Sequence, residues 1–97
     1  SVFPLQVPPL RERKSDIPIL ASFFLTKFSK DFGRKIEGFS QGTIDRLVAY
    51  PWPGNIRELQ NVVERSVVLA QGPEIEIDES VLMPDDELKG TNHRLLD

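Results

Sequence analysis

The chain has 97 residues, 39% hydrophobic and 28% charged, which is enough for one small folded domain and typical of neither a disordered nor a membrane-spanning sequence. Its net charge of −3 argues against a dedicated nucleic-acid binder, because such proteins gain affinity by neutralising phosphates. With no cysteine, the sequence excludes a disulfide framework and a thiolate metal site, and the single histidine, His93, cannot form a histidine metal site by itself.

The first segment, residues 2–7, has the two-residue alternation of a β-strand. A second short strand pattern lies at residues 75–77, so the two segments are able to form a small ribbon. The alternative is that the first strand belongs to a sheet whose other strands lie upstream. Pro4 favours this alternative, because it blocks pairing along one edge. A charged connector follows at residues 10–14.

A helix is predicted over residues 16–32. Ser15 is a good N-cap, Pro18 lies where a missing N–H costs little, and Gly33 suits the left-handed residue that ends a helix. Apolar residues recur at helical spacing and predict one buried face. The predicted core residues of this helix are Ile17, Leu20, Ala21, Leu25 and the phenylalanines at 23, 24, 28 and 32.

Two further helices are predicted on either side of a proline-rich turn. Ser40 begins a helix over residues 40–50, and Asn55 caps a helix over residues 55–71, with Glu58 completing a capping box. The buried face of the first is predicted to contain Ile44, Leu47 and Val48, and that of the second Ile56, Leu59, Val62, Val63, Val67, Leu69 and Ala70.

Trp52 lies between two prolines in the turn, and its rigid setting indicates core packing rather than ligand stacking. Asp78 is predicted to cap a last short helix over residues 79–83, with Val81 and Leu82 facing inward. Residues 84–97 are polar and without periodicity, which is typical of a linker or a loosely held tail.

The sequence has no set of residues typical of catalysis, because it lacks a phosphate-binding glycine loop and a Ser/His/Asp set. Arg57 is the unusual residue, since a cation in the first turn of a helix opposes the helix dipole. Either a carboxylate such as Glu58 or Glu64 pairs with it, or the site binds an anion, for which an arginine and a helix N-terminus are both suited.

Two blocks of sequence resemble a known family. They are residues 3–13 (FPLQVPPLRER), followed by Asp-Ile-Pro at 16–18, and residues 50–61 (YPWPGNIRELQN). In this order and spacing they resemble the end of the central AAA+ ATPase domain of sigma-54-dependent transcriptional activators, over roughly residues 2–83. The resemblance implies an all-α fold, a small helical bundle forming the AAA+ lid, preceded by one β-strand of the α/β nucleotide-binding half.

The implied division is residues 1–14 as the last strand of the α/β half and its connector, residues 15–83 as the lid, and residues 84–97 as a linker or tail. Arg57 matches the sensor II arginine, which reaches the γ-phosphate of ATP. Leu10 and Arg11 match the connector beside the adenine, and Asn55 joins the predicted nucleotide-binding set. No residue is predicted to be catalytic or to bind a metal.

The resemblance also implies partners and limits. In this family the Walker motifs and the arginine finger lie upstream, so this chain alone is expected neither to hydrolyse ATP nor to bind it tightly, and Mg²⁺ is held by the other half. The implied partners are that half, neighbouring subunits of a homo-oligomeric ring and sigma-54 RNA polymerase, with DNA bound by a separate domain. The expected location is the cytoplasm, without a membrane contact.

Two alternatives remain at the level of sequence. The helices at 40–50 and 55–71 have the order of a DNA-binding helix-turn-helix. Its base-reading residues would be Arg57, Gln60, Asn61 and Arg65, although two glutamates on the same helix count against it. The other alternative is a stand-alone protein-interaction domain, which requires an exposed apolar patch.

Overall fold

The computed structural model describes residues 8–82, so the predicted first strand at residues 2–7 and the predicted tail at residues 84–97 lie outside the described residues. The elements in chain order are α1 (Ile17–Asp31), β1 (Gly38–Phe39), α2 (Gln41–Ala49), α3 (Asn55–Leu69) and β2 (Glu74–Ile75). Short 3-10 turns lie at Leu10–Glu12, Lys14–Asp16 and Glu79–Leu82. The described chain is thus a small helical bundle, as predicted, with α1 packed mainly against α3.

Helix α1 begins one residue later than predicted. Ser15 is exposed within a 3-10 turn and is not the N-cap, which is Asp16 and makes no side-chain capping bond. Asp16 instead forms an ion pair with Arg13, with 3.0 Å between Arg13 Nε and Asp16 Oδ2. This ion pair links the charged connector to the start of α1. The prediction for Ser15 was wrong because the connector continues as a turn up to the helix.

The end of α1 follows the prediction. Gly33 has a φ of 64°, in the left-handed region that glycine adopts without strain. Its N–H donates to the carbonyl of Lys30 at 3.2 Å, and the N–H of Arg34 donates to the carbonyl of Ser29 at 2.8 Å. These two bonds form the Schellman motif, which satisfies the last carbonyls of the helix.

The apolar face of α1 is narrower than predicted. Phe24 and Phe28 are buried, but Phe23 is 62% exposed and Phe32 is 44% exposed. Phe23 lies one position off the stripe that faces α3, and Phe32 is already the C-cap residue. The prediction of core positions for Phe23 and Phe32 was therefore wrong.

A parallel two-stranded ribbon joins the segment between α1 and α2 to the segment that follows α3. Gly38 pairs with Glu74 and Phe39 pairs with Ile75. The strand at Gly38–Phe39 was not predicted, and it occupies the place beside β2 that the ribbon hypothesis gave to residues 2–7. A two-residue strand is too short to show alternation, so the sequence pattern gives no signal for it.

Helix α2 begins as predicted, since the Ser40 hydroxyl accepts the N–H of Thr43 at 3.1 Å. Thr43 is fully buried and its hydroxyl accepts the N–H of Ile77 at 2.9 Å. These contacts link the first turn of α2 to the chain after β2.

Helix α3 ends two residues earlier than predicted. Arg34 donates to the carbonyl of Val68 at 3.4 Å and to that of Ala70, so its guanidinium satisfies the free carbonyls at this helix end. Leu69, a predicted core residue, is 65% exposed. It lies where the helix ends and the chain turns away, so no element within residues 8–82 covers its side chain.

The last described turn is 3-10 rather than α-helical. Asp78 is its N-terminal cap as predicted, because its Oδ1 accepts the N–H of Ser80 at 3.0 Å. Hydrogen bonds from the hydroxyl and amide of Ser80 hold the pKa of the Asp78 carboxyl below its usual value. Leu82 is buried and Val81 packs against the core, as the sequence indicated.

One apolar core holds these elements together. It contains Leu10, Ile17, Ala21, Phe24, Leu25, Phe28, Leu47, Trp52, Leu59, Val62, Val63, Val67, Ile75, Ile77 and Leu82. Within residues 8–82, no helix is long and apolar enough to cross a membrane.

Candidate functional site

The candidate site is built on the loop between α2 and α3. Trp52 is fully buried and its indole N–H donates to the carbonyl of Leu47 at 2.7 Å, satisfying the end of α2. The Tyr50 ring meets the indole edge to face, with centroids 4.8 Å apart. Trp52 therefore packs in the core, as predicted, and fixes the exit of the chain from α2.

Glu58 fastens this loop to the first turn of α3. Its Oε1 accepts the N–H of Gly54 at 2.8 Å, and its Oε2 accepts the hydroxyl of Tyr50 at 3.1 Å. The N-cap of α3 is accordingly Gly54. A Cβ at Gly54 would lie 2.8 Å from the Cβ of Glu58, so the close approach requires glycine.

Asn55 has a different place from the predicted cap. Its φ is 57°, in the left-handed region, and its side-chain oxygen accepts the backbone N–H of Leu10 at 2.8 Å across 45 residues of sequence. The capping prediction for Asn55 was wrong because the reciprocal bond of Glu58 goes to Gly54, one residue earlier. Asn55 instead joins the connector to the start of α3.

Leu10 and Arg11, adjacent in the connector, differ in burial. Leu10 is fully buried in the core, so its side chain packs and offers no surface to a ligand in this structure. Arg11 is exposed in the adjacent turn. Of the four predicted nucleotide-binding residues, the fold brings Leu10 and Asn55 into contact and leaves Arg11 and Arg57 at the surface.

Arg57 lies in the first turn of α3, two residues after Asn55, and is exposed. Within residues 8–82 its side chain makes no hydrogen bond or ion pair, although Glu58 and Glu64 are close in sequence. The Glu58 carboxylate is already bound to Tyr50 and Gly54. The pairing of Arg57 with a carboxylate, which is the alternative to anion binding, is thus absent from the described part of the chain. The guanidinium is available to an external anion.

The other arginines of α2 and α3 bind internal carbonyls. Arg46 donates to the carbonyl of Ile77 at 2.8 Å, and Arg65 donates to that of Val81 at 2.9 Å. Arg65 is one of the four residues that the helix-turn-helix alternative requires for reading DNA, and it is bound within the fold instead. The structure does not favour that alternative.

The described residues outside this loop offer little evidence of a second functional site. The described residues contain no group of three acidic or histidine side chains able to hold a metal ion. A pocket of about 260 Å³ lies at the carboxyl end of α3, beside Ala70 and Ile75, and thus at the opposite end of the helix from Arg57.

The chain is similar to known proteins over most of its length. Residues 11–92 match the AAA+ ATPase lid domain family. The chain is 47% identical over 74 residues to the transcriptional regulatory protein XylR of Pseudomonas putida, which covers 76% of this chain and 13% of XylR. It is 42% identical over 88 residues to the formate hydrogenlyase transcriptional activator FhlA of Escherichia coli, covering 90% of this chain and 13% of FhlA.

A crystal structure of NtrX from Brucella abortus superposes with a TM-score of 0.68 and 38% identity, covering 87% of this chain and 19% of NtrX. The chain thus spans between a tenth and a fifth of the length of these relatives. The family resemblance indicated by the blocks at residues 3–13 and 50–61 is confirmed. The chain belongs to the AAA+ ATPase lid domain family, and its relatives in that family include transcriptional activators.

Proposed function

We propose that this chain is the lid of a sigma-54-dependent transcriptional activator and that it closes over ATP held by the preceding α/β half. In the closed state Arg57 contacts the γ-phosphate as the sensor II residue. The observation that carries this proposal is the exposed guanidinium of Arg57, unpaired among the described residues at the N-terminus of α3.

The chemistry of this position suits a nucleotide phosphate. A guanidinium donates two parallel hydrogen bonds to phosphate oxygens, and the positive end of the helix dipole adds attraction for an anion. In the absence of an anion the same dipole opposes the charge of Arg57. Binding of a phosphate therefore removes an unfavourable interaction as well as adding a favourable one.

The remaining chemistry belongs to the rest of the parent protein. ATP and Mg²⁺ supply the reacting phosphate and its charge compensation, and both are bound chiefly by the α/β half. This lid contributes Arg57 and, at the connector, the exposed Arg11, which faces either the nucleotide or a neighbouring subunit. The parent protein is proposed to form a cytoplasmic homo-oligomeric ring, whose ATP hydrolysis remodels sigma-54 RNA polymerase at promoters, with DNA bound by another domain.

The test is Arg57→Ala in the complete activator. Loss of a charge-assisted hydrogen bond is expected to lower ATP hydrolysis by about 10- to 100-fold. Stability of the lid is expected to be unchanged or slightly higher, because the cation that opposes the helix dipole is removed. Hydrolysis is measured at saturating ATP, and folding by circular dichroism.

Lys30→Ala is the matched control, since Lys30 is an exposed cation on α1 and lies outside the proposed site. It is expected to leave hydrolysis unchanged. Wild-type turnover by Arg57→Ala would remove Arg57 from the nucleotide site and with it the proposed function of this lid.

A further inference from the structure

We propose that Asn55 is a positioning residue: its side-chain oxygen holds the connector at Leu10 against the first turn of α3 and so sets where Arg57 stands relative to the chain before the lid. This inference rests on the proposed function of Arg57. It also replaces the predicted contact of Asn55 with nucleotide.

The donor of this hydrogen bond is the backbone N–H of Leu10. Leu10 is fully buried, and a backbone N–H at a buried residue requires a partner. The partner is the side-chain oxygen of Asn55 at 2.8 Å. The Asn55 oxygen thus satisfies a buried backbone donor within the fold.

The backbone of Asn55 restricts which residue can stand there. Its φ of 57° is a left-handed value that glycine, asparagine and aspartate tolerate and other residues adopt at a cost. Aspartate retains both the backbone conformation and an acceptor oxygen. Glycine retains only the backbone conformation. Comparing the two variants therefore separates the effect of the backbone conformation from that of the acceptor oxygen.

Two links hold the first turn of α3, and they lead to different parts of the chain. Glu58 joins the turn to Tyr50 and Gly54 in the loop just before it. Asn55 joins it to Leu10, which precedes all three helices. The Asn55 link is therefore a direct polar contact through which a displacement of the connector is transmitted to Arg57, two residues away.

The experiment compares Asn55→Gly, Asn55→Asp, Arg57→Ala and the double variant Asn55→Gly/Arg57→Ala in the complete activator. Asn55→Gly is expected to lower kcat for ATP hydrolysis by about 10-fold, the equivalent of one hydrogen bond, with little change in KM. Asn55→Asp is expected to stay near wild type in both constants. The double variant is expected to be no slower than Arg57→Ala alone, because Asn55 acts through Arg57.

Hydrogen exchange supplies a readout that is independent of activity. A peptide containing the Leu10 amide is expected to exchange faster in Asn55→Gly than in the wild type, and to remain protected in Asn55→Asp. Because exchange requires no turnover, this comparison of Asn55→Gly with Asn55→Asp and the wild type also applies if Asn55→Gly is too slow for kinetics.

The contrary results distinguish failure of this inference from failure of the proposed function. A several-fold rise in KM for ATP in the neutral variant Asn55→Gly, with kcat unchanged, would show that the Asn55 side chain contacts the triphosphate and would overturn the inference. Wild-type kcat in Asn55→Gly, or effects of Asn55→Gly and Arg57→Ala that multiply, would overturn it as well. Unchanged hydrolysis in Arg57→Ala is a separate result, because it contradicts the proposed function itself.

Discussion

Ser29 shows how a single polar atom limits the stability of this fold. It lies on the buried side of α1, only 8% exposed, and its hydroxyl has no hydrogen-bond partner among the described residues. A buried hydroxyl without a partner loses its hydration and gains nothing in return.

Ser29→Ala is therefore expected to raise the free energy of unfolding by about 1 kcal/mol, since it removes the unsatisfied group and improves helix propensity. Urea denaturation of the chain measures the change. Ser66→Ala is the matched control, because the buried Ser66 hydroxyl donates to the carbonyl of Val62 at 2.7 Å. Ser66→Ala is expected to raise the free energy of unfolding by less than Ser29→Ala does. An equal rise in the two variants would contradict the explanation for Ser29.

At the scale of elements, the junction between α2 and α3 depends on a close approach. Gly54 lies so near Glu58 that an added Cβ would be 2.8 Å from the Glu58 Cβ, which is closer than side-chain carbons pack. Any larger residue must displace Glu58 and weaken its bonds to Tyr50 and Gly54. The start of α3 is thus set by contacts rather than by intrinsic helix propensity.

Gly54→Ala is expected to destabilise the chain by about 1–3 kcal/mol through overpacking. Gly42→Ala in α2 is the control, because the nearest atom to its added Cβ is the end of the Arg46 side chain at 3.9 Å. That substitution is expected to stabilise by about 0.5–1 kcal/mol, since alanine restricts the unfolded chain. Thermal unfolding of both variants distinguishes the two effects, and similar shifts would refute the steric argument.

At the scale of the whole molecule, Trp52 joins the parts of the fold. It is fully buried in the core that contains Leu10 from the connector, Leu47 from α2 and Leu59 from α3. In a domain of this size the core is small, so one large aromatic side chain accounts for much of its apolar burial.

Trp52→Ala is expected to lower the free energy of unfolding by about 3–5 kcal/mol, a large part of the stability of a small domain. Phe23→Ala is the control, since Phe23 is 62% exposed, and it is expected to change stability by about 0.5 kcal/mol or less. Circular dichroism is the suitable probe because the variant lacks the only tryptophan. Comparable losses in the two variants would mean that Trp52 is not the central core residue.

The family and the three helices were predictable from short-range signals. Ser40 as a cap, Gly33 as the left-handed end of α1, and the apolar stripes of α1 and α3 each depend on residues within a few positions of one another. Because such signals act between residues close in sequence, they can be recognised in the sequence alone. Trp52 was predictable for a similar reason, because its flanking prolines restrict the turn.

Several of the errors depend on how segments distant in sequence pack against one another. Asn55 has the sequence context of a cap, but a tertiary contact with Leu10 takes its oxygen. Phe23 and Leu69 have the hydrophobicity of core residues, but no described element covers them.

The sequence by itself determined a small helical lid of the AAA+ family, with an arginine in the first turn of α3, because motifs and periodicity are local properties of the chain. Tertiary structure alone decided that β1 pairs with β2 and that Asn55 joins the connector to α3. These are contacts between groups brought together by folding of the whole core, and no local pattern encodes which acceptor a given donor will meet.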